Sequence, residues 1–174
     1  MPGRTQNSET SLTAVSTLVW MIQDGFNGDP DQSLMGNLRN LKEHEWTLVP
    51  AGGERSIAAI LEHVGWCKWM CENYAFGDAS MQGDQPPLVP ENGQLTRPVP
   101  ELLSWLKQGH HRWLAAVSAL QNDAELDRER LTNWGEYLPT RTIVRIMIGH
   151  DFYHAGEINH IRALLQRNDN WPYA

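Results

Sequence analysis

The sequence predicts an all-α protein, most simply a four-helix bundle. Apolar residues recur with the three-and-four spacing of amphipathic helices in four separate stretches of the 174-residue chain. Glycines and prolines stand between these stretches, and none of them alternates as a strand of useful length does. The length is typical of one domain. We therefore expect a disordered N-terminus over residues 1–10 and a single helical bundle over residues 11–174.

The first element is a helical arm that we expect to be broken near residues 25–30. Gly25 and Gly28 end its first piece, and Asp29 with Pro30 provides a new helix start. The apolar stripe before the break comprises Leu12, Val15, Leu18, Val19, Ile22 and Phe26. Beyond the break it continues through Leu34, Leu38 and Leu41. The arm is thus predicted to be one broken helix or two short ones.

Three longer helices are predicted after the first arm. Residues 56–76 carry an apolar stripe that a glycine ends at position 77, and residues 100–120 carry the next stripe. The fourth helix, over residues 141–166, has the clearest stripe, which spans roughly 80° of the helical wheel. These three segments form the main part of the predicted bundle.

The connections between these helices are of two kinds. Residues 77–98 are rich in proline and glycine and show no periodicity, and long loops of this kind are commonly lids or binding segments. Residues 122–140 are mixed, with a short helix predicted at 124–128 and a turn at Trp134 and Gly135.

Charge and composition exclude several function classes. The chain has 14 basic and 21 acidic residues, a net charge of -7 that disfavours nucleic-acid partners. No stretch approaches the ~18 consecutive apolar residues of a membrane span. Cys67 and Cys71 lie four apart on a predicted helix, where side-chain directions do not suit a disulfide. Residues 12–22 have the apolar character of a signal peptide but no cleavage site follows, so we expect a cytoplasmic protein without a membrane partner.

Two histidines replace apolar residues in the stripe of the fourth helix. His150 and His154 are four residues apart, so their Cβ atoms lie about 5–6 Å from each other and both imidazoles can reach one ion. A hydrogen-bonded pair of core histidines is the alternative, because bundles also bury polar networks. A third ligand would have to come from a facing helix, where His63 and His110 are the candidates on inward stripes.

Two other patterns compete with this histidine pair. His63, Cys67 and Cys71 are spaced by fours and could hold zinc, although free cysteine is more often a small core residue. The run from His150 to His154 also approaches the His-Glu-x-x-His motif of metalloproteases. Asp151 stands there in place of glutamate, and an all-α fold offers no strand to bind a peptide. We favour the core interpretation for the cysteines and discount the protease.

Two motifs carry a resemblance to a known family: SIAAILEHVGWCKWMCENYAFGD over residues 56–78 and HDFYHAGEINHIRALLQ over residues 150–166. Together they resemble the DinB-like superfamily of small four-helix metalloproteins, and the resemblance extends from about residue 12 to Trp171. In that family one histidine of the second helix and a His-x-x-x-His pair of the fourth hold a divalent metal. By matching position, the resemblance implies the ligands His63, His150 and His154.

The resemblance also implies a range of activities. Members of the family include thiol-dependent S-transferases, which use low-molecular-weight thiols such as bacillithiol, and a mycothiol-dependent isomerase. Three neutral imidazoles leave a divalent ion with its full charge and an open position, as in catalytic zinc sites. Zinc is the first expectation, and nickel, iron or manganese are alternatives.

We therefore expect a metal-dependent enzyme, either a thiol-dependent S-transferase or a hydrolase, that acts on a small-molecule substrate. A low-molecular-weight thiol is the expected co-substrate of the transferase. The alternative is a non-catalytic protein that binds a metal or a small ligand. A homodimer is the default symmetric state for a bundle of this size.

Four further residues are candidates for the site. Glu157 follows the second histidine of the pair by almost one turn, where it would orient a ligand or act as a base, unless it pairs with Arg162 or another helix. Asp151 would hydrogen-bond a ligating imidazole or serve as the base. His110 and Trp66 are candidates for the pocket wall, whereas the other tryptophans are scattered and are expected to pack helices.

Overall fold

Four α-helices make up most of the structure, a computed structural model that describes residues 13–82 and 97–168. The helices are α1 (Ala14–Asn27), α2 (Ile57–Phe76), α3 (Val99–Ser118) and α4 (Thr140–Gln166). The predicted all-α class is confirmed. The expectation of a disordered N-terminus over residues 1–10 lies outside the described residues, as does most of the predicted 77–98 loop. Among the described helices, none combines the length and apolar character that a membrane crossing needs.

Local sequence signals explain where the helices begin and end. The Thr13 hydroxyl accepts a hydrogen bond from the Ser16 amide at the start of α1, and the Ser56 hydroxyl accepts one from the Ala59 amide at the start of α2. The Gly77 amide donates to carbonyls of the last turn of α2 and ends it. The bounds predicted for α2, α3 and α4 agree with the structure to within two residues at each end.

The first arm differs from its prediction. α1 ends at Asn27, inside the predicted break, but the arm contains no second α-helix before α2 begins at Ile57. The chain instead makes turns and two short 3-10 helices, Gly36–Leu38 and Glu43–Trp46. The turn folds back on the end of α1, where the Leu34 amide donates to the Gly25 carbonyl at 2.9 Å and the Leu34 side chain is fully buried. The apolar spacing therefore predicted correctly that this segment buries leucine side chains. It predicted an α-helix incorrectly.

A short β-hairpin between α3 and α4 is a second departure from the prediction, which contained no strand. β1 (Glu129–Leu131) pairs antiparallel with β2 (Tyr137–Pro139). The predicted turn at Trp134 and Gly135 connects them, and Gly135 has the positive φ of 90° that such a tight turn requires. The short helix predicted before the hairpin is a 3-10 helix. Strands of three residues are too short to produce a detectable alternation.

The helices follow the order α1, α3, α2, α4 around the bundle, because α1 and α2 each pack against both α3 and α4. α2 and α4 are antiparallel: Arg55, just before α2, reaches Glu157 late in α4, whereas Lys68 further along α2 reaches Asp151. The groove between α2 and α4 therefore lies on the opposite side of the bundle from the groove between α1 and α3.

α2 and α3 are joined by a reciprocal packing of tryptophan on glycine. The Trp105 ring of α3 lies against Gly65 of α2, where an added Cβ would stand 2.8 Å from Cε3 of the indole. The Trp69 ring of α2 lies in the same way against Gly109 of α3, at 2.8 Å from an added Cβ. The Trp69 indole N–H also donates to the Trp105 carbonyl at 3.1 Å. These two glycines let the helices approach closely enough for each half-buried ring to pack on the facing backbone.

Substituting Gly65 with alanine should therefore destabilise the protein, although alanine is the better helix former. The added methyl meets the Trp105 ring, and overpacking of this kind costs about 1–3 kcal/mol. Gly156 of α4 is the matched control, because an added Cβ there meets nothing within 4 Å. Gly156→Ala should stabilise by up to about 1 kcal/mol. Urea unfolding measures both, and a Gly65→Ala variant as stable as Gly156→Ala would contradict the packing described here.

Candidate metal centre

Three histidine side chains converge in the groove between α2 and α4. His63 comes from the second turn of α2, and His150 and His154 come from successive turns of α4. The Nε2 atom of His150 lies 3.1 Å from Nε2 of His63 and 3.2 Å from Nε2 of His154. One ligand atom from each of the three lies within 4.8 Å of the others. The structure thus brings together the three residues that the family resemblance implied.

The electrostatics of the cluster keep the imidazoles neutral. Burial, together with the neighbouring histidines, lowers the pKa of His150 to about 3. Burial is also the main reason why the pKa values of His63 and His154 are lowered. A neutral imidazole has a free nitrogen lone pair, the form in which histidine binds metals. The donor set therefore fits a divalent ion that accepts nitrogen ligands.

Glu157 fixes the orientation of one of these imidazoles. Its carboxylate accepts a hydrogen bond from Nδ1 of His154 at 2.7 Å and one from the Arg55 guanidinium at 2.8 Å. A proton held on Nδ1 leaves Nε2 of His154 free to face the other two rings. Glu157 thus contacts a histidine of the cluster, and its ion pair is with Arg55 and not with the Arg162 considered from the sequence. Arg162 donates to the Asn37 and Arg39 carbonyls.

Asp151 faces the core of the bundle, where it pairs with Lys68. Its Oδ2 atom lies 2.7 Å from the Lys68 ammonium, and the two side chains are 2% and 0% exposed. Burial raises the pKa of Asp151, and the Lys68 charge opposes that rise. The partner that the structure gives Asp151 is therefore this lysine and not the ligating imidazole expected from the sequence.

The two pocket residues proposed from the sequence lie in different places relative to the three histidines. His110 is buried on the other side of the bundle, where its ring stacks on Phe26 with 3.6 Å between the ring centroids. Trp66 is half-buried on α2, one turn beyond His63. The contacts described for the histidine cluster do not include it. His110 is therefore not part of this site, and the assignment of Trp66 to its wall stays a prediction.

The cysteines pack as core residues beside the cluster. Cys67 Sγ lies 3.8 Å from Nε2 of His63, and both Cys67 and Cys71 contact the apolar core formed with Trp113 and Met147. Burial raises the pKa of Cys67 to about 11 and that of Cys71 to about 12. Both thiols are therefore protonated at neutral pH in the metal-free protein, as expected for cysteines that serve as small apolar side chains.

Sequence analysis missed two charged residues that support the site, Arg55 and Lys68. Arg55 precedes the cap of α2 and looks like an ordinary surface residue. Lys68 offered a signal, because it is a single cation inside an otherwise apolar run of α2. Lysine is almost never fully buried unless it is paired, so that position predicts a buried partner without identifying it.

A comparison with protein-family models decides the family. The model of the DinB superfamily matches residues 32–158, which include α2, α3, all three histidines and Glu157. The chain belongs to the DinB superfamily. The resemblance stated from the sequence motifs is thus confirmed, and a comparison with curated proteins found no significant match. Membership of the DinB superfamily and the three-histidine cluster together fit a metal-dependent enzyme.

In this DinB superfamily protein, Lys68→Met should cost about 3–5 kcal/mol of unfolding free energy, because it leaves the buried Asp151 carboxylate without its counter-ion. The double variant Lys68→Met, Asp151→Leu should recover most of that loss, since neither charge then remains. Arg112→Met is the control, because the Arg112–Glu72 pair has an arginine side chain that is 53% exposed. Its loss should stay within about 1 kcal/mol. Equal losses in Lys68→Met and Arg112→Met in urea titrations would refute this account.

Acidification should destabilise the metal-free protein partly through His110. Burial lowers the folded pKa of His110 from 6.5 to about 3, so between these values the unfolded chain binds a proton that the folded protein does not. The unfolding free energy should therefore fall as the pH drops below about 6.5, by roughly 1.4 kcal/mol per pH unit for this histidine. His110→Leu should show a shallower fall between about pH 6.5 and pH 5 in urea titrations. Parallel pH profiles of wild type and variant would contradict the assignment.

Proposed function

We propose that this protein is a metal-dependent enzyme in which His63, His150 and His154 bind one divalent ion. The observation that carries the proposal is the position of His150 Nε2, which lies 3.1 Å from Nε2 of His63 on the facing helix and 3.2 Å from Nε2 of His154. Neutral imidazoles can share an Nε2–H proton in a hydrogen bond, whereas one common ion accepts the lone pairs of all three rings, and the lowered pKa values keep those lone pairs unprotonated. Zinc is the first choice, and nickel, iron and manganese also accept imidazole ligands.

The number of ligands favours a catalytic ion over a structural one. Structural zinc sites usually have four protein ligands, whereas catalytic sites have three and leave a position for water or substrate. The metal-ligand cluster found among the described residues offers three side chains. When bound, a divalent ion supplies Lewis-acid chemistry that activates a water or a thiol as the nucleophile.

The protein's own residues would position the ligands and the substrate. Glu157 holds His154 by its Nδ1 proton, and the Arg55 guanidinium donates to that carboxylate and holds it in place. A cavity of about 450 Å³ begins at these two side chains and extends between the turn at Gly52 and the end of α4 at Leu164. That volume suits a small molecule. We assign Glu157 the role of a positioning residue and this cavity the role of the substrate site.

The reaction class within the proposal is thiol-dependent S-transfer or hydrolysis of a small molecule, with a low-molecular-weight thiol as co-substrate of the transfer. The open ligand position supports both, because it accepts either a thiol or a water. We also propose a cytoplasmic location, in keeping with the free thiols of Cys67 and Cys71. The homodimer expected from the sequence stays a prediction that light scattering would test.

The first experiment measures the metal content of untagged protein by mass spectrometry. Wild type, reconstituted with zinc or nickel where needed, should hold about one ion per chain, and His63→Ala and His150→Ala should each lose it. His160→Ala is the matched control, because His160 is exposed on the same helix beyond the cluster. Wild-type protein that binds no ion, or ligand variants that bind as well as His160→Ala, would refute the metal centre.

The same preparations distinguish an enzyme from a protein that only binds the metal. Cobalt in place of the native ion reports its ligands by its absorption, and a thiol that reaches the open position should change that spectrum. A changed spectrum then justifies screens for S-transfer and hydrolysis. A cobalt spectrum that does not change when a thiol is added, at a site with no exchangeable water, would favour the non-catalytic alternative.

A further inference from the structure

A second cavity lies on the side of the bundle opposite the three histidines. It occupies about 340 Å³ in the groove between the end of α1 and the middle of α3. Gln23 and Asn27 of α1 face Lys107, His110 and His111 of α3 across it. The volume is at the small end of the range for ligand sites, about 300–1,000 Å³. Nothing in the proposed metal chemistry uses this cavity.

His110 is the most unusual residue of this wall. It is 3% exposed, and its Nδ1 atom has no hydrogen-bond partner among the described residues. Burial lowers its pKa to about 3, so the ring is neutral and has one donor and one acceptor nitrogen. Phe26 covers one face of the ring. A buried polar atom without a partner is rare in proteins, so this wall contains a polar atom that no described residue satisfies.

The charge of the cavity wall differs from that of the whole protein. The chain carries a net charge of -7, yet the lining residues described for this cavity include Lys107 and no aspartate or glutamate. The Lys107 side chain is exposed, and the ion pairs found among the described residues do not include it. The Gln23 and Asn27 amides add neutral donors beside it. These groups attract an anion, and the lining described for the cavity contains no carboxylate that would repel it.

The remaining wall is apolar. Phe26, Met35 and Leu114 line the cavity between the polar groups. Phe26 is itself held in place, since its ring stacks on His110 and the Lys68 ammonium lies 5.3 Å from its centroid. A ligand that fills this space must therefore present an apolar surface as well as a charge.

We propose that this cavity is a binding site for a small organic anion, a carboxylate carried on an apolar or aromatic body. The carboxylate pairs with Lys107 and accepts hydrogen bonds from the amides of Gln23 and Asn27. The apolar body lies against Phe26 and the side chains beside it. His110 forms part of the inner wall, close enough to report the bound ligand. The proposal does not depend on the metal centre, because the two grooves share no lining residue.

Benzoate is the probe, because it is the simplest carboxylate on an aromatic ring. Added to the metal-loaded protein, it should shift the imidazole NMR signals of His110 and His111. Benzyl alcohol has nearly the same shape without the charge and should bind at least about tenfold more weakly. Lys107→Met removes the cation at an exposed position and should weaken benzoate binding to a similar extent. Lys42→Met is the control and should leave the affinity unchanged.

Three results would overturn the proposal. One is the absence of any shift at His110 and His111 with benzoate at about 10 mM, where even a weak site would respond. Another is equal affinity of wild type and Lys107→Met for benzoate. The third is a response confined to His63 and His154, which would place the anion at the metal centre. The metal content of each sample, measured in parallel, keeps failure of this site distinct from failure of the metal centre.

Discussion

A buried lysine and aspartate determine how α2 and α4 lie against each other. Lys68 and Asp151 meet at 2.7 Å with almost no exposure, and a slip of one helical turn would leave two charges unpaired in the core. Asp151 directly follows His150, so the same slip would carry that imidazole away from His63. The register that satisfies the ion pair is thus the register that assembles the three histidines. The ion pair that fixes the packing of α2 on α4 therefore also fixes the positions of the three histidines.

Helices with their own start and stop signals could be predicted from the sequence, and irregular structure could not. Ser56 and Gly77 bound a long periodic stripe, and α2 forms between them. The segment after Pro30 has the same apolar spacing, but its Leu34 is buried by a turn that folds back on α1. Spacing records which side chains are buried, and a buried turn can reproduce the helical pattern over so few residues. The hairpin was missed because its strands are shorter than any usable window.

The three histidines of the candidate metal centre could be predicted only in part from spacing. His150 and His154 share one helix face by arithmetic, whereas the assignment of His63 rather than His110 needed the family resemblance. Both are buried or half-buried on inward faces, but spacing cannot say which groove a face lines. Arg55 and Glu157 are 102 residues apart in the chain, and Lys68 and Asp151 are 83 apart. Such partners are set by tertiary packing, which local patterns do not encode.

The separation of the three histidines along the chain determines the order in which the site assembles. His63 and His150 are 87 residues apart, so the loop between them must close before their imidazoles can meet. α4 alone presents two of the three nitrogens and can capture an ion only loosely. The three nitrogens come together only when α2 has docked, and an ion bound by all three would then stabilise the docked state by mass action. Binding of the proposed ion through three ligands would therefore be a late step that requires a folded chain.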